Sequence, residues 1–239
     1  MTSKKKLGAA PLAGRRERSK LDTRQRIRAA ARDLFARRGY SAATMRDIAG
    51  QAHVALGTLF NYADDKRDLV FLIFNDVLDE LTDRALAAPR PGAPLADQLL
   101  TVFRCHYVEL AKNPVLSRLL LQELTFYSEG KEAARFHAIR ARLIAGLERL
   151  VRAAQASGRV TTGEKPAFVA RYIFFVYSAA LRWWIASPRP DVRRGLAELR
   201  RLLTLQLNGL RRQATRIGPS RRKPRRGQSM SPAYKGEVR

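Results

Sequence analysis

Apolar residues along this chain recur at helical spacing. Ile27, Ala30, Ala31, Leu34 and Phe35 follow i, i+3, i+4, i+7 and i+8, which sets them on one face of a first helix that Gly39 stops. Thr44-Met45-Arg46-Asp47 has the spacing of a capping box and opens a short second helix, Met45 to Gln51, with Ile48 and Ala49 facing inward. A third short helix fits Ala55 to Tyr62. Asp65 can cap a fourth from Lys66, whose stripe of Leu69, Val70, Ile73, Val77 and Leu81 continues to about Leu86. Pro89-Arg90-Pro91-Gly92 breaks the pattern. Beyond it, Pro94 in a first turn opens a fifth helix to Lys112, and Asn113-Pro114 caps a sixth that runs to Phe126. Phe136, Ile139, Leu143, Leu147, Leu150 and Val151 mark a seventh, which stops at Gly158. An aromatic eighth follows Pro166 and ends at Ser187-Pro188; Asp191 caps a ninth carrying Val192, Leu196, Leu199, Leu203 and Leu210. No period-2 strand pattern or internal repeat stands out, so the expected fold class is all-α, with about nine helices.

The 239 residues are 46% hydrophobic, enough to bury a full core, which excludes a disulfide- or metal-stapled miniprotein. Lys and Arg total 46 against 21 acidic residues, and the net charge of +25 points to a polyanion partner, nucleic acid ahead of an anionic membrane surface. The charge is uneven. Residues 1–20 hold seven Lys/Arg against Glu17, and residues 211–239 hold ten against Glu237. Both ends are poor in large apolar residues, so 1–19 and 211–239 are expected to be disordered basic arms around a folded body of roughly Leu21 to Leu210. Cys105 stands alone, and His53, His106 and His137 are too far apart for a metal-ligand cluster; a reducing cytoplasm fits. The basic start lacks the apolar core of a secretory signal. The most apolar segment, Phe168 to Ile185, is interrupted by Arg171 and Arg182, leaving Tyr172 to Leu181, far short of the ~20 residues that span a bilayer. A soluble protein with no membrane partner is expected. No G-x-S-x-G, P-loop, dinucleotide fingerprint or H-E-x-x-H occurs, so neither an enzyme nor a cofactor is expected.

Two short helices separated by a turn at His53-Val54, both leaning on a longer first helix, have the arithmetic of a helix-turn-helix unit whose second helix enters the major groove. A plain helical hairpin inside a bundle has the same lengths; charge placement favours the first reading. Lys66 and Arg67 occupy the first turn of the fourth helix, where the macrodipole is positive and each cation is unfavourable by ~0.3–1 kcal/mol. Asp64, Asp65 and Asp68 offset this locally, yet cations held there make most sense if an anion such as a phosphate arrives from outside. Thr44 and Arg46 can offer a hydroxyl, backbone N–H groups and a guanidinium to another phosphate. Gly57 costs ~1 kcal/mol relative to Ala in a helix, but its missing side chain permits close approach to a backbone.

Residues Thr23 to Val77, in particular AAARDLFARRGYSAATMRDIAGQAHVALGTLFNYADDKRDLV, resemble the DNA-binding domain of the TetR family of transcriptional regulators. The likeness is carried by the F-x-x-x-G-Y end of helix one, the T-x-x-D-I-A of helix two, the G-T-L-[YF]-x-Y of the recognition helix and the Lys of the D-K that follows. It implies an amino-terminal three-helix DNA-binding domain at 20–80, with the helix-turn-helix at about 44–63, and a helical ligand-binding and dimerisation domain at 81–210. It further implies that Thr44, Thr58, Tyr62 and Lys66 touch phosphates, that Ala55, Leu56, Gly57, Thr58, Phe60 and Asn61 face the groove, and that Leu59 and Ile48 hold the unit together. Phe60 stands where the family usually has Tyr, Ala63 where it has a large aromatic, and His53 replaces a common glycine. Phe60 cannot donate to a phosphate, but it can pack on a thymine methyl. By the same resemblance helices eight and nine pair with a second subunit, and helices four to eight enclose an inducer pocket. A homodimer on a palindromic operator also follows from the way two half-sites multiply weak binding.

The residues expected to line that pocket are Phe103, Arg104, His106, Tyr107, Phe126, His137, Tyr172 and Phe175. The rings between Phe168 and Trp184 read first as bundle core and dimer seam, His106 and His137 as core histidines, and Cys105 as a small buried hydrophobe. Glu109 and Glu123 are set against Arg104, His106, Arg118 and His137, so the expected ligand is neutral or anionic and apolar, such as an aromatic acid or an acyl chain. The expected function is that of a sequence-specific DNA-binding transcriptional regulator, a dimeric repressor released by an unidentified small-molecule inducer in the cytoplasm. The alternative is a non-specific nucleic-acid packaging or scaffold protein acting through its basic arms.

Overall fold

The computed structural model describes residues 12–209, and every regular element among them is helical. The order is α1 Leu12–Arg38, α2 Met45–Gln51, α3 Leu56–Phe60, α4 Lys66–Ala87, α5 Leu95–Ala111, α6 Pro114–Glu123 with a 3₁₀ turn at Leu124–Phe126, α7 Ala133–Ala156, α8 Pro166–Ile185 and α9 Val192–Gly209. The expected tail at 211–239, residues 1–11 of the expected arm and Leu210 lie outside the described residues.

The expected arm needs correction where it can be seen, because residues 12–19 are helical and belong to α1. Arg, Glu, Lys, Leu and Ala are good helix formers, and extending a helix that is already packed avoids the cost of nucleation. Pairs at helical spacing, Lys20 with Glu17 and Arg26 with Asp22, run along this exposed stretch. Charge density hid a helix that its own propensities support. Smaller differences lie at the ends: α3 is shorter than Ala55 to Tyr62, Pro94 precedes α5 as its N-cap, and the sixth helix tightens into the 3₁₀ turn over its last three residues.

The stripe Ile27, Ala30, Ala31, Leu34 and Phe35 is buried, and α2 and α3 close over it with Ile48 and Leu59. Local capping fixes where several helices begin. Asp65 accepts from the Asp68 N–H at 2.7 Å, Asn113 from Leu116 N–H at 3.2 Å, and Asp191 from Arg194 N–H at 2.6 Å. α4 is the shared wall of the molecule. It packs on α1 toward the amino-terminal helices and on α5, α6 and α7 toward the rest, while α7 pairs with α8 and α9 lies against α5 and α8. Rings fill the joints: Phe71 stacks on Tyr127 at 3.6 Å, Phe103 on Tyr177 at 4.0 Å, and Tyr107 meets Trp184 at 4.5 Å. Among the described residues no helix is long and apolar enough to cross a membrane, and no group of His, Cys, Asp and Glu is placed to hold a metal.

Candidate nucleic-acid interface and ligand cavity

The capping box forms as its spacing requires. Thr44 Oγ1 accepts from the Asp47 N–H at 3.1 Å, while Asp47 accepts from the Thr44 N–H at 3.1 Å and from its hydroxyl at 2.7 Å. These bonds to Thr44 hold the Asp47 carboxyl below the usual carboxylate range. Arg26 of α1 clamps the turn that follows, donating from Nη1 to the carbonyls of Ala52 at 3.0 Å and His53 at 3.2 Å. The sequence pattern gave no hint of this role, because the clamp joins residues 26 and 27 positions apart.

The clamp surrounds a strained residue. His53 is the one non-glycine at positive φ among the described residues, at +54°, the region in which a Cβ crowds the following carbonyl at ~1–2 kcal/mol. His53→Gly relieves that crowding and gives back part of the gain through unfolded-chain entropy. We expect a net stabilisation of about 0.5–1 kcal/mol, read as a higher thermal midpoint; a lower midpoint would mean that the imidazole itself supports the turn.

α3 presents its outer face to solvent. Leu59 is fully buried and pins the helix, whereas Ala55, Gly57, Phe60 and Asn61 are exposed and Leu56 and Thr58 half-buried. A Cβ built on Gly57 meets nothing within 4 Å, so no packing inside the chain requires glycine there. Arg46 and Thr44 are exposed beside this face. Tyr62 is half-buried and its hydroxyl donates to the Lys20 carbonyl at 3.4 Å, which ties the end of the α3 segment to α1. Lys66 donates to the carbonyls of Tyr40 at 2.8 Å and Ser41 at 3.2 Å and lies 4.8 Å from the centre of the Tyr40 ring. Two of its three N–H groups are thus spent on the α1–α2 connection, leaving one for a phosphate.

Arg67 has no need of an outside anion, contrary to the reading of its position as a waiting cation. Its Nε donates to the Glu123 carbonyl at the end of α6 at 3.0 Å and lies 3.5 Å from the Glu123 carboxylate. Asp68, at 1% exposure, is a hub: it accepts from the Tyr127 hydroxyl, from the N–H groups of Lys131 and Glu132 at 2.9 Å each, and from the Asp64 N–H at 3.0 Å. Gly130, with φ of +126°, lets the connection turn under it; a Cβ there would sit 2.8 Å from Asp68 Oδ1. Glu132, also buried, takes Asn75 Nδ2 at 2.8 Å and Arg24 of α1 at 2.9 Å. The first turn of α4, five residues beyond α3, is therefore bonded both to the end of α6 and to the start of α7.

Between those helices lies a cavity of about 270 Å³. Leu78 of α4, Leu120 and Leu124 from α6 and its 3₁₀ turn, Phe136 and Leu143 of α7 and Leu181 of α8 make most of its wall apolar. Of the residues expected in a pocket, His106 and Phe175 line it; the other six do not. Phe103 and Tyr107 are buried behind it against Tyr177 and Trp184. Arg104 faces solvent, Phe126 is 83% exposed at the end of the 3₁₀ turn, His137 bonds Arg140 at 3.0 Å through Nδ1, and Tyr172 is on the outer side of α8. An apolar helix pattern says which face is inward but not which of several inward neighbours it meets, and this is why ring-rich candidates scattered. The arginines that do line the cavity, Arg140 and Arg182, were not among them.

His106 is 5% exposed, and its Nδ1 lacks a well-formed hydrogen bond. Burial pulls its pKa down to about 4, against an opposing pull from the Val102 carbonyl. A depressed folded-state value means that the stabilising contribution is full above the unfolded value of 6.5 and is lost as pH falls from there toward 4. At 1.36 kcal/mol per unit the loss approaches ~3 kcal/mol, so His106→Gln should flatten the stability profile in that window; an equally steep profile in the variant would assign the loss to other groups.

Residues 27–73 match the profile of the family described as bacterial regulatory proteins, tetR family. The chain is 40% identical over 58 residues to the HTH-type transcriptional regulator HbdR of Aromatoleum sp. (strain CIB), an overlap of 24% of this chain and 25% of that one. It is 32% identical over 79 residues to the uncharacterised HTH-type transcriptional regulator YhgD of Bacillus subtilis (strain 168), covering 33% of this chain and 41% of that one. The chain thus spans a quarter to two fifths of these curated relatives. Over a longer stretch its fold is similar to that of Thermus thermophilus FadR, a TetR-family transcriptional repressor solved in complex with lauroyl-CoA: TM-score 0.59, 22% identity, 89% of this chain and all of that one.

Proposed function

We propose that this chain, which belongs to the tetR family of bacterial regulatory proteins through its amino-terminal domain, is a sequence-specific DNA-binding transcriptional regulator. It works in the cytoplasm as a homodimer, reads a palindromic operator and lets go when a small apolar ligand fills its cavity. The observation that carries the reading is the outer face of α3: a pinned helix whose exposed side has Gly57, Thr58, Phe60 and Asn61, with no neighbour inside the chain requiring the glycine. Thr44, Arg46, Tyr62 and the remaining N–H of Lys66 flank that face as phosphate contacts, and Ala55 and Leu56 complete the groove side. The DNA-binding domain then corresponds to 20–80 and the ligand and dimer domain to 81–210.

The second copy docks on α8 and α9. Phe168, Tyr172, Phe175 and Trp183 are exposed along one side of α8, and Leu205 along α9, an apolar surface that a monomer would leave wet. Release follows from the bonds at the start of α4. A ligand that spreads the α6 and α7 walls pulls on Arg67 and Asp68 in the first turn of α4, which follows α3 in the chain after five residues, so the two recognition helices leave the ~34–36 Å spacing of successive major grooves. That Thermus thermophilus FadR was solved with lauroyl-CoA supports a small-molecule ligand of this kind.

Removing residues 1–11 and 211–239 separates this reading from a packaging protein. Selective binding to one duplex over random duplex should survive the deletion; loss of all DNA binding would place function in the basic ends.

A further inference from the structure

The cavity carries a charge asymmetry that its apolar wall does not need. No Asp or Glu lines it, yet Arg140 of α7 and Arg182 of α8 do. Three other arginines of α7 are held by carboxylates: Arg135 pairs with Asp76 and Asp79, Arg142 with Asp79 and Asp83, and Arg152 with Glu148. Arg140 instead meets only His137 Nδ1 at 3.0 Å and the Phe136 ring at 5.7 Å, and Arg182 the Ser178 carbonyl one turn back at 3.3 Å. α7 and α8 pack against each other and are consecutive in the chain, so Arg140, sixteen residues before the end of α7, and Arg182, sixteen residues after the start of α8, stand at similar heights along the pair, and both line the cavity. His106 adds a second polar feature in the wall, a buried nitrogen without a well-formed partner.

We propose that the cavity takes an amphipathic anion, its apolar body among the leucines and Phe136 and its anionic group between Arg140 and Arg182. This rests on the ligand-responsive reading above and specifies the ligand that reading leaves open. A cationic ligand would be desolvated beside two like charges with no carboxylate to receive it. A neutral one would gain the apolar contacts alone. The volume of about 270 Å³ is just under the ~300 Å³ low end of common ligand pockets, which favours a medium-length body over a long one. A free carboxylate and a coenzyme A thioester share this chemistry, the second placing its phosphates at the arginine end.

The test is calorimetric titration of the full-length protein, without DNA, with decanoate, decan-1-ol, decylamine and decanoyl-CoA. Decanoate or decanoyl-CoA should bind at least about tenfold more tightly than the alcohol, in line with the worth of a charge-assisted bond, and decylamine weakest. The tighter of the two anions identifies the source. Arg140→Gln and Arg182→Gln should each weaken the anions about tenfold while changing decan-1-ol less than about twofold. Neither arginine holds a carboxylate in the fold, so both variants should keep the wild-type thermal midpoint, and that midpoint checks folding. Equal affinity for alcohol and anions, or preference for decylamine, overturns the proposal. An anion-binding protein that shows no selective DNA binding would leave this inference standing and overturn the regulator reading; the converse result separates them the other way.

Discussion

Asp68→Ala should remove about 3–5 kcal/mol of folding free energy, a large part of the ~5–15 kcal/mol that holds a typical domain. The side chain is 1% exposed and receives four donors: the Tyr127 hydroxyl and the N–H groups of Asp64, Lys131 and Glu132. Alanine leaves two buried donors, the Tyr127 hydroxyl and the Glu132 N–H, without a partner beside a void, each at ~1–3 kcal/mol, and takes the carboxylate from the half-buried N–H groups of Asp64 and Lys131. Asp68→Asn should be nearly as damaging, since its amide N–H groups would face donors. Tyr127→Phe removes a single charge-assisted bond and should cost about 1.5–3 kcal/mol. Urea denaturation gives all three values, and a loss below ~1 kcal/mol for Asp68→Ala would show that water replaces the carboxylate at no great cost. A second consequence is functional. Variants that still fold should bind DNA less responsively to ligand, because Asp68 joins the turn after α3 to the start of α7.

Gly57→Leu should have opposite effects on folding and on binding. Gly57 is exposed and nothing lies within 4 Å of a Cβ there, so a side chain leaves the backbone into open space and gains up to ~1 kcal/mol of helix propensity over glycine. On the outer face of α3 the same side chain holds the protein away from a DNA backbone. We expect specific affinity to fall at least about 100-fold, some 2.7 kcal/mol, with the thermal midpoint unchanged or raised. Fluorescence anisotropy with a selected duplex and calorimetry on the free protein read the two signs independently. Unchanged affinity would show that α3 does not approach DNA at Gly57.

What could be read from the sequence was local. The buried stripe from Ile27 to Phe35, the Thr44–Asp47 box and the Asp65, Asn113 and Asp191 caps all involve residues within a few positions of one another, and periodicity or cap chemistry marks them. Asp68 lay hidden in plain view as one acid among three beside Lys66 and Arg67. Its decisive partners are 59 to 64 positions away, and no local pattern signals them. Arg67 was misread for the same reason, since the Glu123 carbonyl that neutralises the argument for an external anion is 56 positions distant. Arg140 and Arg182 show the reverse case: what distinguishes them is that they line the cavity without a carboxylate of the kind that Arg135 and Arg142 hold, and only the packed α7–α8 pair reveals it. The helical start of α1 was masked by composition, because a run of charge reads as an unfolded arm until a packed helix continues into it.

The central claim is that α3 reads a DNA sequence, and selection from a pool of random duplexes tests it most directly. The full-length protein should enrich one inverted repeat whose half-sites are centred about one helical turn apart or a multiple of it. Thr58→Ala and Asn61→Ala should each relax preference at particular positions of the half-site, by ~1–3 kcal/mol per lost base contact, without changing the repeat spacing. A pool that stays random after repeated rounds, or an enriched sequence identical for the wild-type protein and both variants, would contradict it.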